Sequence, residues 1–172
     1  GDFQLSNIST AIVALRNIKK FNITDKNIKD GVTKIKSVAR VQEIKKGNLK
    51  KLCEKNRLFI DGSHNPLGAK VLNEFIETLN TKVHLILGMM KNKDHVEYIR
   101  HFKNIISLTT IDIPNQPNSI SGKDLKKKLK NIKKGVYKKS IEEAIVTSSN
   151  KSEDIILITG SLYLAGEVLN LN

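Results

Sequence analysis

The chain has 172 residues, 39% hydrophobic and 27% charged, a balance that supports one ordinary buried core with a piece of another and excludes disorder as the default state. Thirty basic against seventeen acidic residues leave a net charge of +13, but only Arg16, Arg40, Arg57 and Arg100 are arginine and there is no Trp. Base readout and stacking favour Arg and aromatic rings, so this lysine-dominated charge argues against nucleic-acid binding and for a solvated surface. No apolar run approaches the ~20 residues that span a bilayer, and the first residues have no signal-peptide pattern, which disfavours membrane and secreted readings. Cys53 is the only cysteine; the composition fits a reduced, cytoplasmic compartment with neither a disulfide framework nor a multi-Cys zinc site. Residue 1 is Gly rather than Met, as expected of a fragment, a processed product or a trimmed chain.

In chain order, Ile8, Ala11, Ile12, Leu15 and Ile18 recur at steps of three and four and predict an amphipathic helix over Ser6–Phe21. Thr24 is a suitable N-cap for a second helix with a stripe of Ile28, Val32 and Ile35. VARVQEI alternates like a strand, KKGN reads as a turn, and RLFIDG as a short buried strand over Leu58–Asp61. Pro66 then opens a helix facing inward through Leu72, Phe75, Ile76 and Leu79. Strand Val83–Leu87, a helix over Asp94–Phe102 and strand Ile105–Ile111 follow. Ser121-x-x-Asp124 and Ser140-x-x-Glu143 have the capping-box spacing, the first before a lysine-rich helix and the second before Ile141–Ser148. Strands Val136–Lys138 and Ile155–Thr159 and a closing helix over Ser161–Leu169 complete the pattern. Strands alternating with helices predict an α/β fold: a mostly parallel, doubly wound sheet covered on both faces.

In such sheets ligands bind beyond the carboxyl ends of the strands. Three segments take that position: Asp61–Pro66, Gly88–Asp94 and Thr159–Ser161. In DGSHNP, a strand-end carboxylate beside a Gly turn suits a ribose diol, and His64 stands at the mouth of a helix that favours anions. The same residues also read as ordinary turn and N-cap positions, and pattern alone leaves both readings open. His84, His95 and His101 have no partner pattern and are read as structural.

The run FIDGSHNPLGAKVL resembles the D-G-[AS]-H-N-P signature of folylpolyglutamate synthase/dihydrofolate synthase, a branch of the Mur ligase superfamily. Four further segments resemble the same family in the right order. GDFQLSNISTAIVAL is similar to its G-x-x-Q-x-x-N-x-x-x-A helix, and SVARVQEI to its P-G-R-x-E-x segment, with Ser37-Val38-Ala39 for the usual W-P-G. LGMMKNKD is similar to its G-M-x-x-D-K-D loop, and DIILITGSLYLAGEVLN to its closing V-T-G-S-x-Y-L-x-G-E-V. The resemblance implies a Rossmann-like C-terminal Mur ligase domain over residues 37–172, preceded over residues 1–36 by the helical tail of a central ATPase domain. It implies a reaction in which ATP, with Mg2+, converts a folate or dihydropteroate carboxylate to an acyl phosphate that the L-glutamate amine attacks. Charge develops on the phosphoryl group and the tetrahedral carbon, which calls for cations and oriented N–H donors.

Carried onto this sequence, the resemblance makes Asn7, Arg40 and Asp61 nucleotide contacts, with Arg40 on the phosphates and Asp61 on the ribose. Arg40 and His64 are the candidate catalytic residues, while His64, Ser161 and Tyr163 are candidates for the substrate side. Lys93 and Asp94 are read as ordering their loop. Asp61→Ala and Arg40→Ala are expected to cripple ligation without unfolding the protein. The family's phosphate loop, G-x-x-x-x-G-K-[ST], and its magnesium ligands are absent from this chain, so the 172 residues alone are expected to be inactive and to need the family's N-terminal domain. The resemblance further implies a monomeric full-length protein. Lys45–Arg57 is longer than the family's usual connection and is read as a surface hairpin, with Cys53 structural. Lys123–Lys139 is read as an amphipathic helix whose lysine stems cover apolar surface. Rival readings are a Mur-type ligase for another acceptor or amino acid, and a basic α/β nucleic-acid-binding module.

Overall fold

The computed structural model describes residues 2–35, 38–150 and 152–172. Ser37, and the boundary expected between residues 36 and 37, lie outside the described residues. The chain forms two compact units, Gly1–Val38 and Ala39–Asn172.

The first unit holds α1 (Asp2–Asn17) and α2 (Asp25–Thr33). Thr24 caps α2 as expected: its hydroxyl accepts the Asn27 N–H at 3.2 Å, and the Asn27 side chain accepts the Thr24 N–H at 3.0 Å. Helix α1 ends at Asn17, four residues short of Phe21, and Arg16 reaches Asp25 at 2.9 Å across the connection.

The second unit is a six-stranded sheet: β1 (Gln42–Ile44), β2 (Arg57–Ile60), β3 (Val83–Leu87), β4 (Ile105–Ile111), β5 (Val136–Lys138) and β6 (Ile155–Thr159). Their spatial order is β1-β2-β6-β3-β4-β5, and only the edge strand β1 runs antiparallel. The helices are α3 (Asn48–Lys51), α4 (Pro66–Thr78), α5 (His95–Arg100), α6 (Gly122–Leu129), α7 (Ile141–Ser148) and α8 (Leu162–Leu171). Because strand side chains alternate, Leu58, Ile60, Ile86, Ile156 and Ile158 pack on one face with Ile145 of α7 and Leu164 and Val168 of α8. Phe59, Leu85, Leu87 and Leu157 pack on the other with Leu72 and Ile76 of α4, Tyr98 of α5 and Leu125 of α6. This is the doubly wound arrangement, with apolar strands buried on both faces.

Several local expectations change. VARVQEI forms a strand only from Gln42; Ala39 (φ 55°) and Val41 (φ 50°) are left-handed and make a turn instead. The Lys45–Arg57 connection does join antiparallel neighbours, but it contains the single helical turn α3, and Cys53 is buried beneath it. The lysine-rich helix stops at Leu129, so Ile132 lies beyond it and Lys123–Lys139 also contains β5. Neither Ser-x-x-acid pair closes a reciprocal box. The Asp124 carboxylate takes the Ser121 hydroxyl at 2.7 Å, and Glu143 reaches the Lys139 N–H at 3.4 Å, while both serines cap their helices. Among the described residues, no helix is long and apolar enough to cross a membrane.

Candidate functional site

Strands β2, β6 and β3 are adjacent, so the segments after them emerge side by side at one edge of the sheet. Hydrogen bonds join them: Gly160 N–H donates to the Ser63 carbonyl at 3.1 Å, and Gly88 N–H to the Thr159 carbonyl at 3.2 Å. Gly160 sits at φ 107°, and a Cβ there would lie 2.6 Å from the Gly88 carbonyl oxygen. Only glycine accommodates both the backbone conformation and the close approach.

The buried Tyr98 hydroxyl completes the junction. It lies 3.1 Å from the Ser63 carbonyl, 3.0 Å from Ser63 Oγ and 2.8 Å from Thr159 Oγ1. Burial, first of all, raises the Tyr98 pKa far above that of a free phenol, so this hydroxyl works as a hydrogen-bonding group and not as an acid. Sequence reasoning placed Ser63 and Thr159 in the right loops but not Tyr98, which falls on the inward stripe of α5 and reads as apolar core.

Asp61 is 7% exposed and is a pin as well as a candidate ligand. Its Oδ2 accepts the Val41 N–H at 2.9 Å and its Oδ1 accepts the Ser63 N–H at 2.8 Å. The Gly62 N–H donates to the Ala39 carbonyl at 2.7 Å, and the Ala39 N–H to Gln42 Oε1 at 3.0 Å. The turn around Arg40 is therefore clamped onto the Asp61-Gly62 corner. Left-handed non-glycine residues cost of order 1–3 kcal/mol each and persist only where neighbours over-determine them. Here two of them flank Arg40, which is exposed and, among the described residues, has no hydrogen bond or ion pair. The fold thus spends backbone strain to present a guanidinium. Asp61→Ala would remove these two charge-assisted bonds, so a loss of stability is expected beside the loss of ligation.

His64 is half-buried, and its Nδ1 lies 3.1 Å from the Gly62 carbonyl. A carbonyl only accepts, so Nδ1 carries a hydrogen, and Nε2 is the ring nitrogen left open to a ligand. Asn65 caps α4 by accepting the Gly68 N–H at 2.8 Å. Ser161, 2% exposed, caps α8 by accepting the Tyr163 N–H at 3.1 Å, which occupies one lone pair of its hydroxyl in structure. Tyr163 is 56% exposed. Asp94 caps α5 through the Glu97 N–H at 3.0 Å, and Lys93 is half-buried in the loop before it. Asn7 is an exposed residue of α1 in the first unit.

A second polar cluster stands at the opposite, amino end of the sheet. Ser107 Oγ, His84 and Asp154 fall in a line, at 2.7 Å and 3.5 Å from the two ring nitrogens. It is not a hydrolytic triad. The Asn150 amide donates to His84 Nε2 at 3.1 Å, so Nδ1 holds the proton and faces the serine as a donor, the reverse of a general base. Buried Asn56 ties the same loop down through Asn150 and the Ser152 and Asp154 carbonyls. No group of three or more His, Cys, Asp or Glu among the described residues could hold a metal ion.

Comparison with known proteins agrees with this architecture. Residues 47–162 match the family described as Mur ligase, glutamate ligase domain. The chain is 28% identical over 174 residues to a folylpolyglutamate synthase of Lacticaseibacillus casei, aligning 98% of this chain with 38% of that protein. A crystal structure of a bifunctional folylpolyglutamate synthase/dihydrofolate synthase from Yersinia pestis superposes with a TM-score of 0.71 at 18% identity, over 96% of this chain and 38% of that one. The Escherichia coli FolC protein in complex with DHPP and ADP superposes with a TM-score of 0.67 at 23% identity, over 95% of this chain and 38% of that one. The chain therefore spans about two-fifths of the length of the proteins it matches.

Proposed function

Because the chain belongs to the Mur ligase glutamate-ligase domain family, we propose that it is the C-terminal part of an ATP-dependent ligase that joins L-glutamate to a folate or dihydropteroate carboxylate. The observation that carries this reading is the strained turn held by Asp61 and Gly62, which presents an unpaired guanidinium beside a glycine-containing strand-end surface. An anion-transferring site needs such a charge, held in advance of the ligand.

In this reading Arg40 takes the phosphates, because a planar guanidinium offers paired N–H donors to phosphoryl oxygens. Asp61 takes the ribose: two backbone bonds occupy about half of the lone-pair sites of a carboxylate, and the rest can accept hydroxyls. Asn7 is a further nucleotide contact in this reading, carried by residues 1–36 as the helical tail of a central ATPase domain, and residues 37–172 are the C-terminal domain. His64 offers its Nε2 to the glutamate or nucleotide side, and Tyr163 offers an exposed hydroxyl to glutamate. Ser161 is bound into the α8 cap, so its part on that side is secondary. The described residues supply no cation cluster, so Mg2+ is left to the rest of the ligase and no step is assigned to it here. Bound ATP supplies the activated phosphoryl group; this chain's residues orient it and offset its charge. The complete ligase is a monomeric cytoplasmic enzyme, and these 172 residues alone do not turn over.

The test is ligation by the complete enzyme. Radiolabelled L-glutamate should enter dihydropteroate or a folate only with ATP present, with one phosphate released per bond formed. Preferred incorporation of another amino acid, or hydrolysis of ATP without incorporation, would overturn the assignment.

A further inference from the structure

The loop after β3 contains a side-chain arrangement that no sequence pattern announced. His95, at the start of α5, is 1% exposed. Its Nε2 lies 2.9 Å from the Met90 carbonyl oxygen, and its Nδ1 lies 3.0 Å from Lys128 Nζ on α6. The carbonyl can only accept and the ammonium can only donate. The ring is therefore neutral, with its hydrogen on Nε2. Burial, and secondarily the Lys128 charge, lower the His95 pKa and favour the same state.

Met90 is where the loop is otherwise held. The Met89 carbonyl accepts the Ile120 N–H at 3.0 Å, and the Lys91 N–H donates to the Asn118 carbonyl at 2.9 Å. Asp94 fixes the far end as the α5 cap. Between these points the Lys91 ammonium donates to the Pro117 carbonyl at 3.0 Å, and the imidazole holds the Met90 carbonyl from α5, with Lys128 bracing the imidazole from a different helix. Among the described residues, the other lysine ammonium groups that form hydrogen bonds reach backbone carbonyls: Lys50, Lys91 and Lys133. Lys128 instead hydrogen-bonds a side chain, which separates it from the solvated Lys126 and Lys127 beside it on α6.

We propose that His95 and Lys128 are a positioning pair that fixes the 88–94 loop at the carboxyl edge of the sheet and so sets the affinity of that edge for nucleotide. The proposal rests on the nucleotide site assigned above. Neither residue touches the ligand; the histidine acts through the Met90 carbonyl and the lysine through the histidine.

The experiment uses the 172-residue chain with ADP as probe, read by NMR, which detects the millimolar binding expected of part of a site. Side-chain 15N correlation spectra at neutral pH should show His95 as the Nε2–H tautomer; the Nδ1–H tautomer would overturn the pair. Lys128→Met removes the donor at an exposed position, and His95→Phe leaves the Met90 carbonyl without its imidazole donor and Lys128 without its acceptor. Each should speed amide exchange at Lys91–Lys93 and weaken ADP by about 2- to 10-fold, the range of one net hydrogen bond. The double variant should be no worse than the singles, because both break one link. Lys128→Arg should restore most of the effect, and Lys126→Met and Lys127→Met should change neither readout. Additive effects, or faster exchange with unchanged ADP affinity, would overturn the proposal while leaving the nucleotide site intact. Absence of any ADP-induced shift in the wild-type chain would instead overturn the site itself, and the role of the pair with it.

Discussion

Replacing Asp61 by Ala separates the two jobs assigned to the strand-end corner. The substitution removes acceptors from the Val41 N–H at 2.9 Å and the Ser63 N–H at 2.8 Å, both bonds to a charged group and each worth about 1.5–3 kcal/mol. Release of the left-handed Val41 returns part of that, because such strain is of order 1–3 kcal/mol. The net loss is about 3 kcal/mol, or roughly 10 °C in Tm for a domain of this size. Asp61→Asn keeps one acceptor and turns an amide N–H towards the other donor, so it should lose about half as much. Arg40→Ala is the matched control: the residue is exposed and, among the described residues, unbonded, so its stability should stay within about 0.5 kcal/mol of wild type. Urea denaturation followed by circular dichroism measures the stabilities, and ADP titration of the same samples measures binding. Arg40→Ala should lose nucleotide with an unmoved unfolding midpoint, whereas Asp61→Ala should lose both. An Asp61→Ala protein as stable as wild type would refute the idea that this carboxylate pins the turn.

Tyr98→Phe should cost about 1–2 kcal/mol in the same urea experiment, because it strips a buried hydroxyl from Ser63 and Thr159; an unchanged midpoint would mean the three loops are joined without it. Gly160→Ala should be severely damaging, with a Cβ 2.6 Å from the Gly88 carbonyl at φ 107°, and failure to recover folded protein is the expected result. At the opposite end of the sheet, hydrogen bonds from Ser152 and Asn150 hold the Asp154 pKa below its ordinary value. A depressed folded pKa adds stability above the unfolded value near 4 and loses it as pH falls through the folded one. The stability gap between wild type and Asp154→Asn should therefore be present at pH 6 and close towards pH 3; a gap independent of pH would show that the charge contributes nothing.

The strands were legible because their physics is local in sequence. Val83–Leu87, Ile105–Ile111 and Ile155–Thr159 are apolar runs bounded by polar turns, and their ends match the sheet. Four helix caps were legible for the same reason, since Thr24, Asn65, Ser121 and Ser140 act within three residues of themselves; Ser161, read as a substrate-side candidate, also proves to be a cap. VARV was misread because its alternation is real but irrelevant: the Ala39 carbonyl and the Val41 N–H are claimed by Gly62 and Asp61, some twenty residues on, and that claim overrides strand propensity. The lysine helix ends at Leu129, whose carbonyl accepts the Ile132 and Lys133 N–H groups at 2.9 and 3.0 Å as the chain turns towards β5. The Tyr98 junction and the His95–Lys128 strut were invisible for a like reason. Their partners lie between 33 and 61 residues away along the chain, apart from Met90, and an isolated Tyr or His on a helix has no pattern to read.

The most direct test of the account is to map, residue by residue, where ADP perturbs the amide spectrum of the chain. Shifts are expected at Arg40, Asp61–Asn65, Gly88–Asp94 and Thr159–Tyr163, four places that are distant in sequence and joined only by the fold. Shifts confined to the lysines of residues 123–139, matched or exceeded by a single-stranded oligonucleotide and abolished by moderate salt, would contradict that expectation and make the domain a basic binding module.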